Sequence, residues 1–144
     1  MNLSSHLHYG KDAQTLLRFA LLCNATFSTL SGAALLLLPN HVIAIAGSPL
    51  LHIRSLLGCG LLGYAAWLGS IAFRPNIKLG DAHIVVIMDV AWTVVSIPVA
   101  ILSSLTSEGR WLVATVAAAV FSFAVLQRRG IQIVRGNSIE TKHV

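Results

Sequence analysis

The chain has 144 residues, of which 56% are hydrophobic and 10% are charged, and its mean hydropathy of +0.78 is far above that of a soluble domain. The composition therefore predicts a membrane protein. Apolar segments take up most of the length and leave no room for a soluble catalytic domain or a nucleic-acid-binding module. The net charge of +5 is therefore not interpreted as a sign of nucleic-acid binding.

Four apolar segments predict four transmembrane helices, at about 16–38, 50–73, 82–104 and 109–130. Each is close to the roughly 20 residues that cross a hydrocarbon core of about 30 Å. We therefore predict an all-α fold, a four-helix transmembrane bundle with short loops, in which residues 1–144 form a single integral membrane domain. Residues 1–10 and 131–144 are predicted to be cytoplasmic tails.

Basic residues fall mainly on one side of the predicted membrane. The segments before span one, between spans two and three, and after span four contain Lys11, Arg18, Arg74, Lys78, Arg128, Arg129, Arg135 and Lys142. The opposite side has only Arg54 and Arg110. Because lysine and arginine accumulate in cytoplasmic loops, this distribution places both termini in the cytoplasm of a multi-pass protein, and a bacterial inner membrane is the expected location.

The first span contains a polar stripe. Asn24, Ser28 and Ser31 recur at helical spacing, so they share one face, which we expect to meet other helices. The span ends at Pro39, because proline cannot continue the backbone hydrogen bonding of a helix. The cysteines, Cys23 and Cys59, fall at different depths in two spans and are predicted to be free, buried thiols.

Small residues form two ridges that predict close helix contacts. In span two, Gly58, Gly60 and Gly63 spell G-x-G-x-x-G, but no strand precedes them and a dinucleotide site is not expected in mid-membrane. The two ridges have the small-xxx-small spacing that lets membrane helices approach, and they consist of Ser55, Cys59 and Gly63 in span two and Ala114, Ala118 and Ser122 in span four.

The third span contains Asp89 within an otherwise apolar segment. An ionisable side chain at this depth costs a few kcal/mol on insertion scales, so it usually faces a bundle interior or a wet cavity. Trp92, Thr93 and Ser96 lie on the same helical face. Gln127, Arg128, Arg129 and Gly130 then predict the end of span four, with cations and a glycine at the helix C-terminus.

A polar layer is predicted around Asp89. At about 1.5 Å per residue from the predicted cytoplasmic boundaries, Asn24, Asp89 and Ser122 all lie roughly 10–12 Å deep. The candidates for binding a ligand or a proton are Asp89, Asn24, Ser28, Trp92, Tyr64, Trp67 and Ser122. Asp89 either joins spans one and three through hydrogen bonds or binds a proton, a cation or a polar head group, and both interpretations remain open.

The residues indicate neither a catalytic centre nor a metal site. The histidines lie in tails, loops or span ends, and His52 and His83 fall on opposite sides of the membrane, so they cannot ligate one haem. C-x-x-C motifs and thiolate clusters are absent from the sequence, which disfavours a thiol oxidoreductase. We therefore predict no catalytic residues, no metal and no cofactor.

Three segments carry a resemblance to a family of bacterial four-span membrane proteins with no assigned activity. They are LLRFALLCNATFSTLSGAALLLLP in span one, MDVAWTVVS in span three and AVLQRRG in span four. The likeness covers nearly the whole chain and implies the same four-span fold. A more distant similarity to DoxX-like four-helix proteins, which are linked to quinone and redox physiology, rests on span number and size.

Three functional hypotheses follow. The first is a non-enzymatic membrane protein, either an accessory subunit or an oligomeric packing module, because small-residue faces are abundant. The second is a proton- or cation-coupled carrier of small amphipathic molecules, with Asp89 as the coupling site. The third is a lipid- or quinone-binding membrane protein. The expected partners are the lipid bilayer and either further copies of the chain or another membrane protein, with no nucleic acid.

Overall fold

The computed structural model describes the backbone of residues 3–140 and the side chains of residues 14–136. The described chain forms five helices and no strand, which confirms the predicted all-α fold. They are α1 (Leu3–Leu37), α2 (Asn40–Ala44), α3 (Ser48–Ala72), α4 (Leu79–Leu102) and α5 (Ser107–Glu140).

Four helical segments are long and apolar enough to cross a membrane, so the protein is a multi-pass integral membrane protein with a four-helix bundle. They are Gln14–Leu37, Ser48–Ala72, Leu79–Leu102 and Ser107–Gly136. Helices α1 and α5 are longer than the predicted spans and include parts of the predicted tails, and residues 1–2 and 141–144 lie outside the described chain.

The helices are neighbours in the order α3, α1, α5, α4. Helix α1 packs against α3 and α5, α4 packs against α5, and α3 and α4 hardly touch each other. The bundle has two unlike ends. We call the end with the α3–α4 loop and most of the basic residues the basic end, and the end with α2 and the α4–α5 loop the α2 end.

The tightly packed core lies toward the basic end. Leu17 and Leu21 of α1, Ile71 of α3, Val85 of α4 and Ile131 of α5 belong to one buried cluster. All four long helices therefore meet at this end, and the short α3–α4 loop keeps α3 and α4 together there.

Arg18 closes the C-terminus of α3 at the basic end. Its guanidinium donates to the carbonyl oxygens of Ala72 and, at 2.9 Å, of Arg74. These bonds satisfy carbonyls that a helix C-terminus leaves without partners. Arg74 in turn forms an ion pair with Asp81 in the first turn of α4, which ties the two ends of the loop together.

Two glycine contacts allow close approach between helices. A Cβ atom at Gly32 of α1 would lie 2.9 Å from the carbonyl oxygen of Gly58 in α3, and one at Gly130 of α5 would lie 3.1 Å from the backbone of Leu17. Gly130 was predicted to end span four, but α5 continues to Glu140. This glycine is needed because α1 crosses there, and the prediction of a helix C-terminus at Gly130 is wrong.

The predicted small-residue ridges face outward instead of meeting a helix of this chain. Ser55, Cys59 and Gly63 are exposed, and a Cβ atom at Gly63 would meet nothing within 4 Å. The prediction that Cys59 is buried is therefore wrong, and Cys23 is partly buried. The ridge formed by Ala114, Ala118 and Ser122 is exposed as well.

Candidate functional site

Asp89 accepts hydrogen bonds from two other helices. The Asn24 side-chain nitrogen of α1 donates to Oδ2 at 2.7 Å, and the Tyr64 hydroxyl of α3 donates to Oδ1 at 2.7 Å. Only 2% of Asp89 and 1% of Asn24 are exposed. We call these three residues the polar layer. It joins α1, α3 and α4 near the middle of the bundle, where α3 and α4 otherwise hardly touch.

Ser28 extends the polar layer along α1. Its hydroxyl donates to the side-chain oxygen of Asn24 at 3.4 Å, which is long for such a bond. This contact turns the amide oxygen of Asn24 toward Ser28 and the amide nitrogen toward Asp89. Asn24 and Ser28 of the predicted polar stripe are therefore buried inside the bundle, and Asn24 reaches α4.

The hydroxyls that follow Asp89 on α4 do not contribute to the polar layer. Thr93 donates to the carbonyl oxygen of Asp89 at 2.9 Å, and Ser96 donates to that of Trp92 at 2.8 Å. Each hydroxyl is satisfied by its own helix one turn back, a common arrangement in membrane helices. Sharing a helical face with Asp89 therefore did not make them part of the site.

Of the three remaining candidates, one lines a cavity beside Asp89 and two do not. Trp92 lies beside Asp89 in the wall of a cavity. Trp67 packs against Tyr64 with ring centroids 5.9 Å apart and supports the position of that tyrosine from outside the cavity. Ser122 is exposed on the outer surface of α5 and donates to the carbonyl oxygen of Ala118. It has the predicted depth but points away from the polar layer.

Gln127 is a polar residue near Asp89 that the sequence pattern did not predict to belong to the site. It is 0% exposed, and its amide lies near the Asp89 carboxyl group across the α4–α5 contact. Neither its side-chain nitrogen nor its oxygen makes a hydrogen bond within 3.5 Å. A buried amide without a hydrogen bond is costly, and Gln127 does not line the cavity beside Asp89. The sequence signal for this residue was a glutamine directly before Arg128 and Arg129, at the predicted end of span four.

A cavity of about 500 Å³ opens beside the polar layer. We call it the α3–α4 cavity, because these helices form its two sides while α1 and α5 form its back. Its lining includes the polar layer itself together with Phe27, Leu56, Leu57, Gly60, Met88 and Trp92. The cavity lies between α3 and α4, which the short loop joins at the basic end but which make few contacts with each other.

The cavity opens sideways, toward the hydrocarbon that surrounds the bundle. Leu56 is 80% exposed and Met88 is 46% exposed, and they lie on the opposing helices that flank the opening. The walls are almost wholly apolar, and the polar groups are concentrated where Asn24, Tyr64 and Asp89 meet. A molecule entering from the bilayer would meet an apolar channel that ends at a carboxyl group.

Among the described residues, the cavity is lined by one acidic side chain and by no basic one. Asp89 contributes the acidic group, and no lysine, arginine or histidine of the described chain lines the cavity. Arg74 and Asp81 form an ion pair, but they lie at the basic end and not at the cavity. No group of three histidine, cysteine or acidic side chains in this part of the chain could hold a metal ion.

The fold and the site together define a four-span integral membrane protein with a laterally open cavity that ends at an intramembrane carboxyl group. Comparison of the chain with protein-family models, with curated proteins and with solved structures finds no match. The resemblance to bacterial four-span proteins and to DoxX-like proteins therefore stays a prediction.

Proposed function

We propose that this membrane protein binds an amphipathic molecule whose polar head meets the polar layer and whose apolar tail lies in the α3–α4 cavity. The observation that carries the proposal is the lateral cavity whose polar groups are concentrated at one end. Among the three hypotheses, this arrangement favours the lipid- or quinone-binding class. It also supplies the binding site that a carrier would need.

The head group provides the selectivity in this proposal. Lipid tails are as apolar as leucine, so an alkyl chain gains little by moving from the bilayer into an apolar channel. A hydroxyl, carbonyl or amino group gains more, because the hydrocarbon core offers it no hydrogen-bonding partner. Asp89 can accept more than the two bonds it receives.

The channel has the length of a medium-chain tail. Ile53 and Tyr64 both line the cavity on α3, and their separation in sequence corresponds to about 16 Å along the helix axis. A dodecyl chain with its head at Tyr64 would extend along this path toward the α2 end. Dodecyl compounds are therefore suitable probes.

Photolabelling in nanodiscs tests the proposal. A dodecanol with a diazirine in its chain should label the segments 53–64 and 88–92 saturably, and excess unlabelled dodecanol should remove this label. A diazirine dodecane, which has no head group, should label exposed apolar residues such as Phe19 and Leu102 as strongly as it labels the cavity. An even distribution of the dodecanol label over the outer surface would refute the proposed binding site.

A second candidate function is an oligomeric packing module, and the outward-facing small-residue ridge of α5 favours it. Ala114, Ala118 and Ser122 form an exposed strip on α5 that another membrane helix could approach closely. If copies of the chain associate through this strip, Ala118→Phe should convert the oligomer to a monomer in mild detergent. An unchanged molecular mass, measured by light scattering, would argue against assembly through this face.

A further inference from the structure

We propose that the head group bound at the polar layer is a primary alkylammonium cation, which is selected over neutral and anionic head groups. This inference rests on the proposed function, because it names the chemistry of the molecule that enters the α3–α4 cavity. It comes from three features of the site: the donors already bound to Asp89, the missing countercharge and the aromatic walls.

The hydrogen bonds of Asp89 suit a carboxylate that acts only as an acceptor. Asn24 uses an N–H and Tyr64 uses an O–H, and each reaches a different carboxylate oxygen at 2.7 Å. Both partners are neutral, so the negative charge of an ionised Asp89 is solvated but not compensated. A head group that brings further N–H donors would use the acceptor sites that remain.

The described chain provides no countercharge at this site. No basic side chain of residues 14–136 lines the cavity, and Arg18 is engaged with the end of α3. A lone charge in low-dielectric surroundings is costly, and a cation that enters with the ligand would remove that cost. A carboxylate head group would add a second negative charge beside Asp89 and should be rejected.

Tyr64 connects the cavity to the carboxylate. It lines the cavity and donates its hydroxyl hydrogen to Asp89, so its oxygen is left to accept a bond from an ammonium group. The rings of Phe27 and Trp92 also line the cavity, and an aromatic face attracts a cation within about 6 Å of its centre. The aromatic rings and the carboxylate therefore favour the same head group.

Competition with the diazirine dodecanol tests the inference. The competitors are dodecylammonium, dodecanol and dodecanoate, which share one tail, and they are compared in zwitterionic nanodiscs containing wild-type protein or Asp89→Asn. Dodecylammonium should displace the label from wild-type protein at a concentration about 10- to 100-fold lower than dodecanol, as expected for a charge-assisted hydrogen bond. In Asp89→Asn the ratio of the competing concentrations of dodecanol and dodecylammonium should fall to near one. Dodecanoate should be the weakest of the three competitors for wild-type protein.

The outcomes separate this inference from the proposed function. If dodecanol and dodecylammonium compete equally for wild-type protein, the cavity binds amphipaths but the preference for a cation is wrong. If no competitor removes the label from the cavity, the proposed function itself is wrong. The order of the three competitors on wild-type protein decides the inference even if Asp89→Asn does not fold, provided that each is corrected for its partitioning into protein-free nanodiscs.

Two sources could supply the ammonium group, an amphipathic amine or the head group of phosphatidylethanolamine. A phospholipid would also bring a phosphate, for which the described lining has no basic partner. We therefore expect that replacing phosphatidylcholine by phosphatidylethanolamine in the nanodisc leaves the label unchanged. Loss of the label in that lipid would instead identify the lipid head group as the source of the same ammonium.

Discussion

Gly60→Phe should reduce labelling of the α3–α4 cavity by the diazirine dodecanol at least about tenfold, which corresponds to a loss of about 1.4 kcal/mol of binding free energy. Gly60 lines the cavity, and a Cβ atom at this position would meet nothing within 4 Å. A side chain placed there should therefore enter the cavity without disturbing the protein. Helical side chains lean toward the helix N-terminus, so the ring would lie beside Leu56 and Leu57 and displace the ligand tail.

Gly63→Phe is the matched control for this prediction. Gly63 lies on the same helix and has the same free space around its Cβ position, but it does not line the cavity. The control protein should keep the label of the wild type and should unfold at the same denaturant concentration as Gly60→Phe. Equal labelling of the two variants would mean that the dodecanol binds elsewhere.

Gly109→Ala should destabilise the folded protein by about 3 kcal/mol or more, the upper end of what overpacking costs. The added Cβ atom would lie 2.0 Å from the carbonyl oxygen of Ala46, which is far inside van der Waals contact. The backbone fixes the position of the Cβ atom, and the carbonyl oxygen belongs to the backbone, so no side-chain rotation can relieve the clash. The first turn of α5 must move away from the segment that joins α2 to α3.

That movement would also break the hydrogen bonds that close the α2 end. The backbone nitrogen of Thr106 donates to the carbonyl oxygen of Ala46 at 3.4 Å. The Thr106 hydroxyl donates to the carbonyl oxygen of Ile45 at 2.5 Å. Unfolding by sodium dodecyl sulfate in mixed micelles measures the loss of stability. Gly63→Ala, with open space at its Cβ position, is the control and should change the free energy of unfolding by less than about 1 kcal/mol. Similar unfolding curves for the two variants would contradict the packing described at the α2 end.

The polar layer was predictable because it depends on depth and on residue type. Asp89, Asn24 and Tyr64 are polar groups at similar depth in an apolar chain, and a buried carboxyl group requires hydrogen-bonding partners. Helical rise gives depth reliably along a straight helix. It does not give the direction in which a side chain points, and for this reason Ser122 has the predicted depth but lies on the outer surface.

The direction of each helix face was harder to predict because the surrounding lipid and the bundle core are both apolar. Small residues identify possible contacts without showing which of them are used. Gly58 meets Gly32 of α1, while Gly63, five positions later on the same helix, faces outward. The α3–α4 cavity depends on how little α3 and α4 contact each other, which no residue pattern encodes. Gln127 was missed because it precedes the arginines at the predicted span end.

The central claim is that a molecule in the α3–α4 cavity contacts Asp89, and infrared difference spectroscopy tests it most directly. The carboxyl band of Asp89 is identified by its loss in Asp89→Asn, and spectra are then recorded with and without dodecylammonium in nanodiscs. We expect the ligand to shift this band in wild-type protein and in Gly63→Phe but not in Gly60→Phe. A band that stays unchanged while the ligand displaces the photolabel would show that the cavity is occupied without contact to Asp89 and would contradict the claim.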